Sequence, residues 1–158
     1  HQYGQAKAVP VAEDIAVPIE SLVHFLQKAE LIYEKHGLVA AAWGHAGEGV
    51  VRMQPALNLS EVGDRQKFFK LPEEIYAAAL EFGGTISASH GDGRVKAVHL
   101  PAMFGTEMVR VFEKIKLVFD PHGTLNPGVK VGVDTEAVKQ IISGDYNLAH
   151  RHDYLPRS

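Results

Sequence analysis

Apolar residues return every three or four positions at Leu22, Val23, Leu26, Ala29, Ile32 and Tyr33, with Gln27, Lys28, Glu30 and Glu34 mostly between them. This period predicts an amphipathic helix with one face on a core. Pro18 suits the first turn of that helix and Glu20 its positive end, while His36-Gly37 closes it, glycine being the usual left-handed cap. The pattern then changes. Leu38 to His45 and Val50 to Leu57 read as two strands joined by Ala46-Gly47-Glu48-Gly49. Alternation across such a hairpin groups Leu38, Ala40 and Ala42 with Val51 and Met53 on one face. It groups Trp43 and His45 with Arg52 and Gln54 on the other. The small alanines suit close packing of a helix on the first face; the second face carries the chemistry.

Upstream, Ala8 to Asp14 reads as a short extended segment that Pro10 marks as an edge. Downstream, Ser60 can cap a helical region reaching about Phe82, with Pro72 interrupting it or starting a new turn. Gly83-Gly84 ends that region, a strand runs to about Ser89, and His90-Gly91-Asp92-Gly93 turns. Leu100 to Phe104 reads as a short helix. Thr106 reads as the cap of a helix built on Met108, Val109, Phe112, Ile115, Leu117 and Phe119, stopped by Asp120-Pro121-His122-Gly123. Val129 to Val133 is short and apolar, and Thr135 to Ser143 is the last helix. The expected architecture is one α+β domain, an antiparallel or mixed sheet with helices packed on it. Residues 1–7 lack a helix or strand pattern and read as a disordered or added start; the domain runs over residues 8–143, and residues 144–158 form a polar tail.

Composition narrows the chemistry. The chain has 158 residues, a net charge of -3 and no cysteine. Such a length can bury a core. The acidic balance argues against nucleic acid as the main partner. The missing thiols remove disulfides, thiolate catalysis and cysteine-held zinc or iron–sulfur clusters from this segment. No apolar run approaches the roughly 20 residues of a membrane span.

Three glycine-rich segments remain: Gly44 to Gly49, Gly83 to Arg94, and Leu125-Asn126-Pro127-Gly128. His45 closes a strand beside a turn, so it reads as a ligand, proton carrier or substrate contact, or simply as a hairpin cap. Arg52 can clamp a carboxylate in bidentate fashion, pair with Glu48, or stack on Trp43. His90 can act as a general base or bond Asp92 within its turn. Gly91-Asp92-Gly93 is no dinucleotide fingerprint, since the third glycine and the helix are missing. No phosphate loop, Gly-x-Ser-x-Gly elbow or His-Glu-x-x-His helix occurs. His150-Arg151-His152 could hold a metal but reads better as solvated tail, and Asn126-Pro127-Gly128 alone is a tight turn.

Taken in order, these segments resemble the C-terminal half of the FAD-linked oxidase family, which includes D-lactate dehydrogenases, the glycolate oxidase flavin subunit and D-2-hydroxyglutarate dehydrogenases. The resemblance is carried by Gly44-His45-Ala46-Gly47-Glu48-Gly49, by Gly83 to Arg94, and by Phe119-Asp120-Pro121-His122-Gly123-Thr124-Leu125-Asn126-Pro127-Gly128. Glu13-Asp14-Ile15-Ala16-Val17-Pro18 and Pro55-Ala56-Leu57 also fit, especially the branch fused to iron–sulfur domains.

The resemblance implies a ferredoxin-like cap domain of a two-domain flavoenzyme, with most of the FAD held by a domain outside this chain. It implies oxidation of a D-2-hydroxy acid to the 2-oxo acid, with hydride passing to the flavin. Electrons then go to a quinone, an electron-transfer flavoprotein or an iron–sulfur domain, in the cytoplasm or at the inner face of a membrane. By the same resemblance His90 and His45 are the catalytic candidates, and Arg52 and Trp43 the substrate contacts. Asn126, Gly91 and His90 are the flavin contacts, with Lys130 in place of the motif's final lysine. Metal-dependent members carry a histidine where Arg52 stands and a glutamate where Ser89 stands. A divalent metal is therefore not expected here, and Arg52 is expected to take over the cation's role. The isolated chain is expected to be inactive. The competing expectation is a non-catalytic binding or assembly module that keeps the cap fold.

Overall fold

Strand β4 (Val50–Leu57) is the hub of the sheet in a computed structural model that describes residues 6–142. Along one edge it pairs antiparallel with β3 (Ala40–His45), in the register Ala42↔Met53, Trp43↔Arg52 and His45↔Val50. Along its other edge it pairs with β2 (Ile15–Ala16) near its start and with β1 (Lys7–Ala8) near its end. The extended segment of the sequence is thus two short strands with a bend between them. That bend explains how a proline sits in a central strand. Pro55 has no N–H to give, and its carbonyl, which faces the same way, accepts from Val9 N at the gap between β1 and β2.

Helix α1 (Leu22–Lys35) and helix α2 (Val62–Glu81) cover the sheet. The order β2–α1–β3–β4–α2, followed by a bridge from Thr85 back to Ala16, is the ferredoxin-like β-α-β-β-α-β sequence. Its last strand is reduced to that one bridge. The expected strand to Ser89 is therefore corrected: after Thr85 the ladder stops, Ser87 N turns to Thr85 Oγ1, and the amides of Ser89 and His90 donate to a side chain described below. Phe25, Ile15, Leu57, Leu71, Ile75 and Ile86 fill the core completely.

Both helices end as the glycines predict. Gly37 N donates to Glu34 O and Leu38 N to Tyr33 O; Gly83 N donates to Leu80 O and Gly84 N to Ala79 O. These are paired closures in which a left-handed glycine satisfies the last carbonyls.

Four smaller expectations change. Glu61, not Ser60, precedes α2, and its side chain makes no cap. Pro72 does not break α2; its ring is fully buried, which offsets a cost of about 3 kcal/mol for proline inside a helix. Thr106 is the first residue of α4 (Thr106–Phe119), which is entered through Gly105. The alanine face of β3 is not closed by a helix, because Ala40 and Ala42 border a groove of about 290 Å³ beside Leu26 and Tyr33 of α1.

Two helices follow the site turn, α3 (Leu100–Phe104) and α4, with α5 (Thr135–Ile141) last. Helix α4 buries no residue, and Met108, Val111, Ile115 and Val118 of its apolar stripe face outward. Val129 to Val133 forms turns, not a strand. The whole of the expected tail, His150 to His152 included, lies outside the described residues.

Candidate functional site

The even-numbered positions of β4 face away from the core, which puts Arg52 on the outer face directly opposite Trp43. Trp43 is 44% exposed. The Arg52 guanidinium turns neither to that ring nor to Glu48. Its Nη2 reaches the turn after Thr85, 2.8 Å from His90 Nε2 and 3.5 Å from Ser89 Oγ. Arginine has only donors, so Nε2 of His90 accepts, which makes the ring neutral with its proton on Nδ1. His90 thus pairs with Arg52, not with Asp92 of its own turn.

The turn is held by Asp14, a residue the sequence reading passed over. Its Oδ2 accepts from Ser89 N at 2.8 Å and His90 N at 2.7 Å, and its Oδ1 accepts from Ser89 Oγ at 2.6 Å. Its main-chain carbonyl accepts from Ala88 N at 3.3 Å. Lys96 Nζ lies 3.6 Å from Oδ2, and Arg52 Nη2 lies 3.9 Å from Oδ1. Burial alone would push this carboxyl up. The hydroxyl of Ser89, the amides of His90 and Ser89 and the Lys96 charge outweigh it, lowering the carboxyl from 3.8 to about 2. Asp14 adopts a left-handed φ of 59°, uncommon for a residue with a Cβ. Lys96 is buried beside it, and its ammonium is pushed below the usual lysine value by desolvation, against the pull of Asp14 and Asp92.

The third glycine-rich segment folds back on the second. Lys130 Nζ lies 2.7 Å from the fully buried carboxylate of Asp92, Lys130 N donates to Gly93 O, and Arg94 Nη2 donates to Pro127 O. Asn126, next to the Pro127 that Arg94 holds, adopts a left-handed φ of 46°. A Cβ at Gly91 would meet nothing within 4 Å, so that side of the turn is open to an approaching group. A cavity of about 190 Å³ lies behind it, lined by Glu13, Asp14, Tyr76, His90, Asp92 and Lys96. Asp92 Oδ1 and Arg52 Nε are buried with no partner among the described residues. His45 stands on the Arg52 face opposite Val50, and its side chain has no hydrogen-bond partner among the described residues. The structure therefore brings Arg52, Ser89, His90 and Asp14 together and leaves His45 apart.

Among the described residues no three His, Cys, Asp or Glu side chains converge on one point, and a guanidinium bears on His90 Nε2. The described residues also contain no helix long and apolar enough to cross a membrane.

Comparison with known proteins agrees with this architecture. Residues 1–129 match the family described as FAD linked oxidases, C-terminal domain. The chain is 34% identical over 135 residues to the D-2-hydroxyglutarate dehydrogenase of Pantoea ananatis (strain AJ13355), covering 85% of this chain and 13% of that protein. It is 34% identical over 125 residues to the D-2-hydroxyglutarate dehydrogenase of Escherichia coli (strain K12), covering 79% of this chain and 12% of that protein. The D-lactate dehydrogenase of Archaeoglobus fulgidus (strain ATCC 49558 / DSM 4304 / JCM 9628 / NBRC 100126 / VC-16) is 33% identical over 125 residues, covering 79% of this chain and 27% of that protein. The chain thus spans about an eighth of the length of the two D-2-hydroxyglutarate dehydrogenases. The matched span and the α+β order agree: this chain belongs to the C-terminal domain family of the FAD linked oxidases.

Proposed function

We propose that this chain forms the substrate-facing wall of an FAD-dependent dehydrogenase that oxidises a D-2-hydroxy acid to the 2-oxo acid. The observation that carries the reading is the Arg52–His90 contact at 2.8 Å on the outer face of the sheet, beside an exposed indole. A cation and a neutral imidazole with a lone pair at Nε2 are the two groups a 2-hydroxy acid requires. One binds the carboxylate and the other accepts the hydroxyl proton.

The residues fit FAD as a group bound mainly outside this chain. Gly91 leaves its turn open, and the Arg94–Pro127 bond ties the segment of Asn126 to the same glycine-rich stretch; Gly91, Asn126 and His90 would meet the ring. When bound, FAD supplies the two-electron acceptor for the hydride that leaves C2 of the substrate.

Arg52 occupies the Nε2 lone pair of His90 in the free site. A carboxylate is a stronger acceptor for guanidinium than an imidazole. Substrate therefore draws Arg52 onto itself and leaves Nε2 to the hydroxyl group. His90 takes the hydroxyl proton as the C2 hydride departs, and the carbonyl of the 2-oxo acid forms. Arg52 supplies positive charge where a metal-dependent relative would hold an ion. Trp43 bounds the pocket, and His45 is an outer substrate contact. The electron acceptor is a quinone, an electron-transfer flavoprotein or an iron–sulfur domain.

The test is turnover of D-lactate and D-2-hydroxyglutarate by the whole protein. His90→Ala should lower kcat by about 10²–10⁴-fold, the range for loss of a general base. Arg52→Ala should raise KM as well as lower kcat. Unchanged kinetics in both would leave only a binding or assembly module.

A further inference from the structure

Asp14 lies 75 residues from the turn it holds, and nothing in its own segment requires a charge. We propose that Asp14 is the positioning residue of this site, fixing His90 and Arg52 relative to each other so that they meet a 2-hydroxy acid as one unit. The proposal rests on the reading of His90 and Arg52 given above.

The geometry argues it in three steps. First, the main chain under His90 has no sheet ladder to hold it, because the last strand stops at the Thr85 bridge. The amides of Ser89 and His90 donate instead to one oxygen of Asp14, at 2.8 and 2.7 Å. Ser89 and His90 are exposed, but both amides are anchored on a buried carboxylate, so this carboxylate sets where the imidazole begins. Second, the other oxygen accepts from Ser89 Oγ at 2.6 Å and faces Arg52 Nη2 at 3.9 Å. The same nitrogen reaches His90 Nε2, so the acceptor that orders the turn also faces the cation from behind. Third, Asp14 is itself held. Lys96 Nζ donates to its main-chain carbonyl at 3.4 Å and lies 3.6 Å from its carboxylate, and Ala88 N donates to that carbonyl. Its left-handed backbone persists because these contacts over-determine it. An asparagine here could keep both amides on its one oxygen, and Ser89 Oγ can turn to accept from its N–H, but it would remove the negative charge that faces Lys96 and Arg52.

The test combines a readout on the unaltered chain with one on a variant. By amide hydrogen exchange, Ser89 and His90 should be protected although they lie outside any strand, while Gly91 exchanges freely. Exchange at Ser89 and His90 as fast as at Gly91 would overturn the proposal, and this needs no mutant to fold. By imidazole nitrogen NMR, His90 should sit in a single Nδ1–H form with Nε2 accepting. In Asp14→Asn, with the Phe25 and Ile75 amides unmoved as proof of the fold, that signal should give way to a mixture of forms. An unchanged His90 signal would again overturn the proposal.

In the whole flavin-loaded protein, Asp14→Asn should lower kcat/KM for a D-2-hydroxy acid by about a hundredfold, the cost of a displacement of about 1 Å in a catalytic group. Both kcat and KM should move, which a loss of folded protein alone would not produce. Should His90→Ala and Arg52→Ala leave turnover unchanged, the functional reading fails. Exchange and NMR still decide the role of Asp14 in placing the pair.

Discussion

Two buried aspartates perform the same local act in different surroundings. Asp14 gathers the amides of Ser89 and His90 and faces Lys96; Asp120 gathers the amides of Thr124 and Leu125 and faces Lys116 at 2.5 Å. The carboxyl of Asp120 is held well below the usual range, first by the Lys116 ammonium and then by the Leu125 amide. Asp120 acts over four or five residues and shapes the loop after an exposed helix. Asp14 acts over 75 and 76 residues and joins β2 to the turn that carries His90. The same chemistry therefore closes a local turn in one place and assembles a site in the other. What separates them is the chain entropy each contact must overcome and how much of the core depends on it.

The largest expected effect follows from that difference. Asp14→Ala strips Lys96 of its partner while Lys96 stays buried, so urea unfolding should show a loss of about 3–5 kcal/mol, as for one partner removed from a buried pair. Asp120→Ala should cost much less and leave the amides of α1 and α2 undisturbed. Equal losses would remove the distinction.

The next effect is in acid. Asp14 is lowered in the fold from 3.8 to about 2, so its ionised form is the one the fold prefers. Its contribution is complete above about pH 4 and is lost as pH falls toward 2. Asp14→Asn should flatten the stability curve in that window. Asp120 is also held below its ordinary value, so Asp120→Asn should likewise flatten the curve in acid, while the amides of α1 and α2 stay undisturbed.

The smallest effect belongs to α4. Val118 is 76% exposed, so Val118→Ser should change thermal stability within about 0.5 kcal/mol, as for a surface position.

Much of the fold could be read from local pattern. The 3.6-residue period over Leu22–Tyr33 gave α1, the alternation around Trp43 and Arg52 gave the hairpin and its faces, and Gly37 and Gly83 marked helix ends. The Asp-Pro-x-Gly stop at Asp120 was legible for the same reason, since all its partners lie within five residues. Other features depended on contacts far apart in the chain. The run Gly84 to Ser89 has strand composition, yet the amides of Ala88 and Ser89 go to Asp14, and no local rule reports a partner 75 residues away. The one available signal was the pair of acids Glu13-Asp14 inside the apolar run from Val9 to Val17. The orientation of Arg52 was hidden similarly, because Trp43 and Glu48 are nearer in sequence than His90. Resemblance singled out His90, His45, Arg52 and Trp43 alike, and the geometry brings Arg52 to His90 and leaves His45 apart.

A double-mutant cycle shows whether Asp14 serves turnover through His90. Kinetics of D-lactate or D-2-hydroxyglutarate oxidation would be measured for the unaltered protein, Asp14→Asn, His90→Ala and the double variant, each flavin-loaded and checked for folding. The account predicts strong non-additivity, with Asp14→Asn costing little once His90 is gone. Full additivity, with Asp14→Asn as damaging in the His90→Ala background as alone, would contradict it.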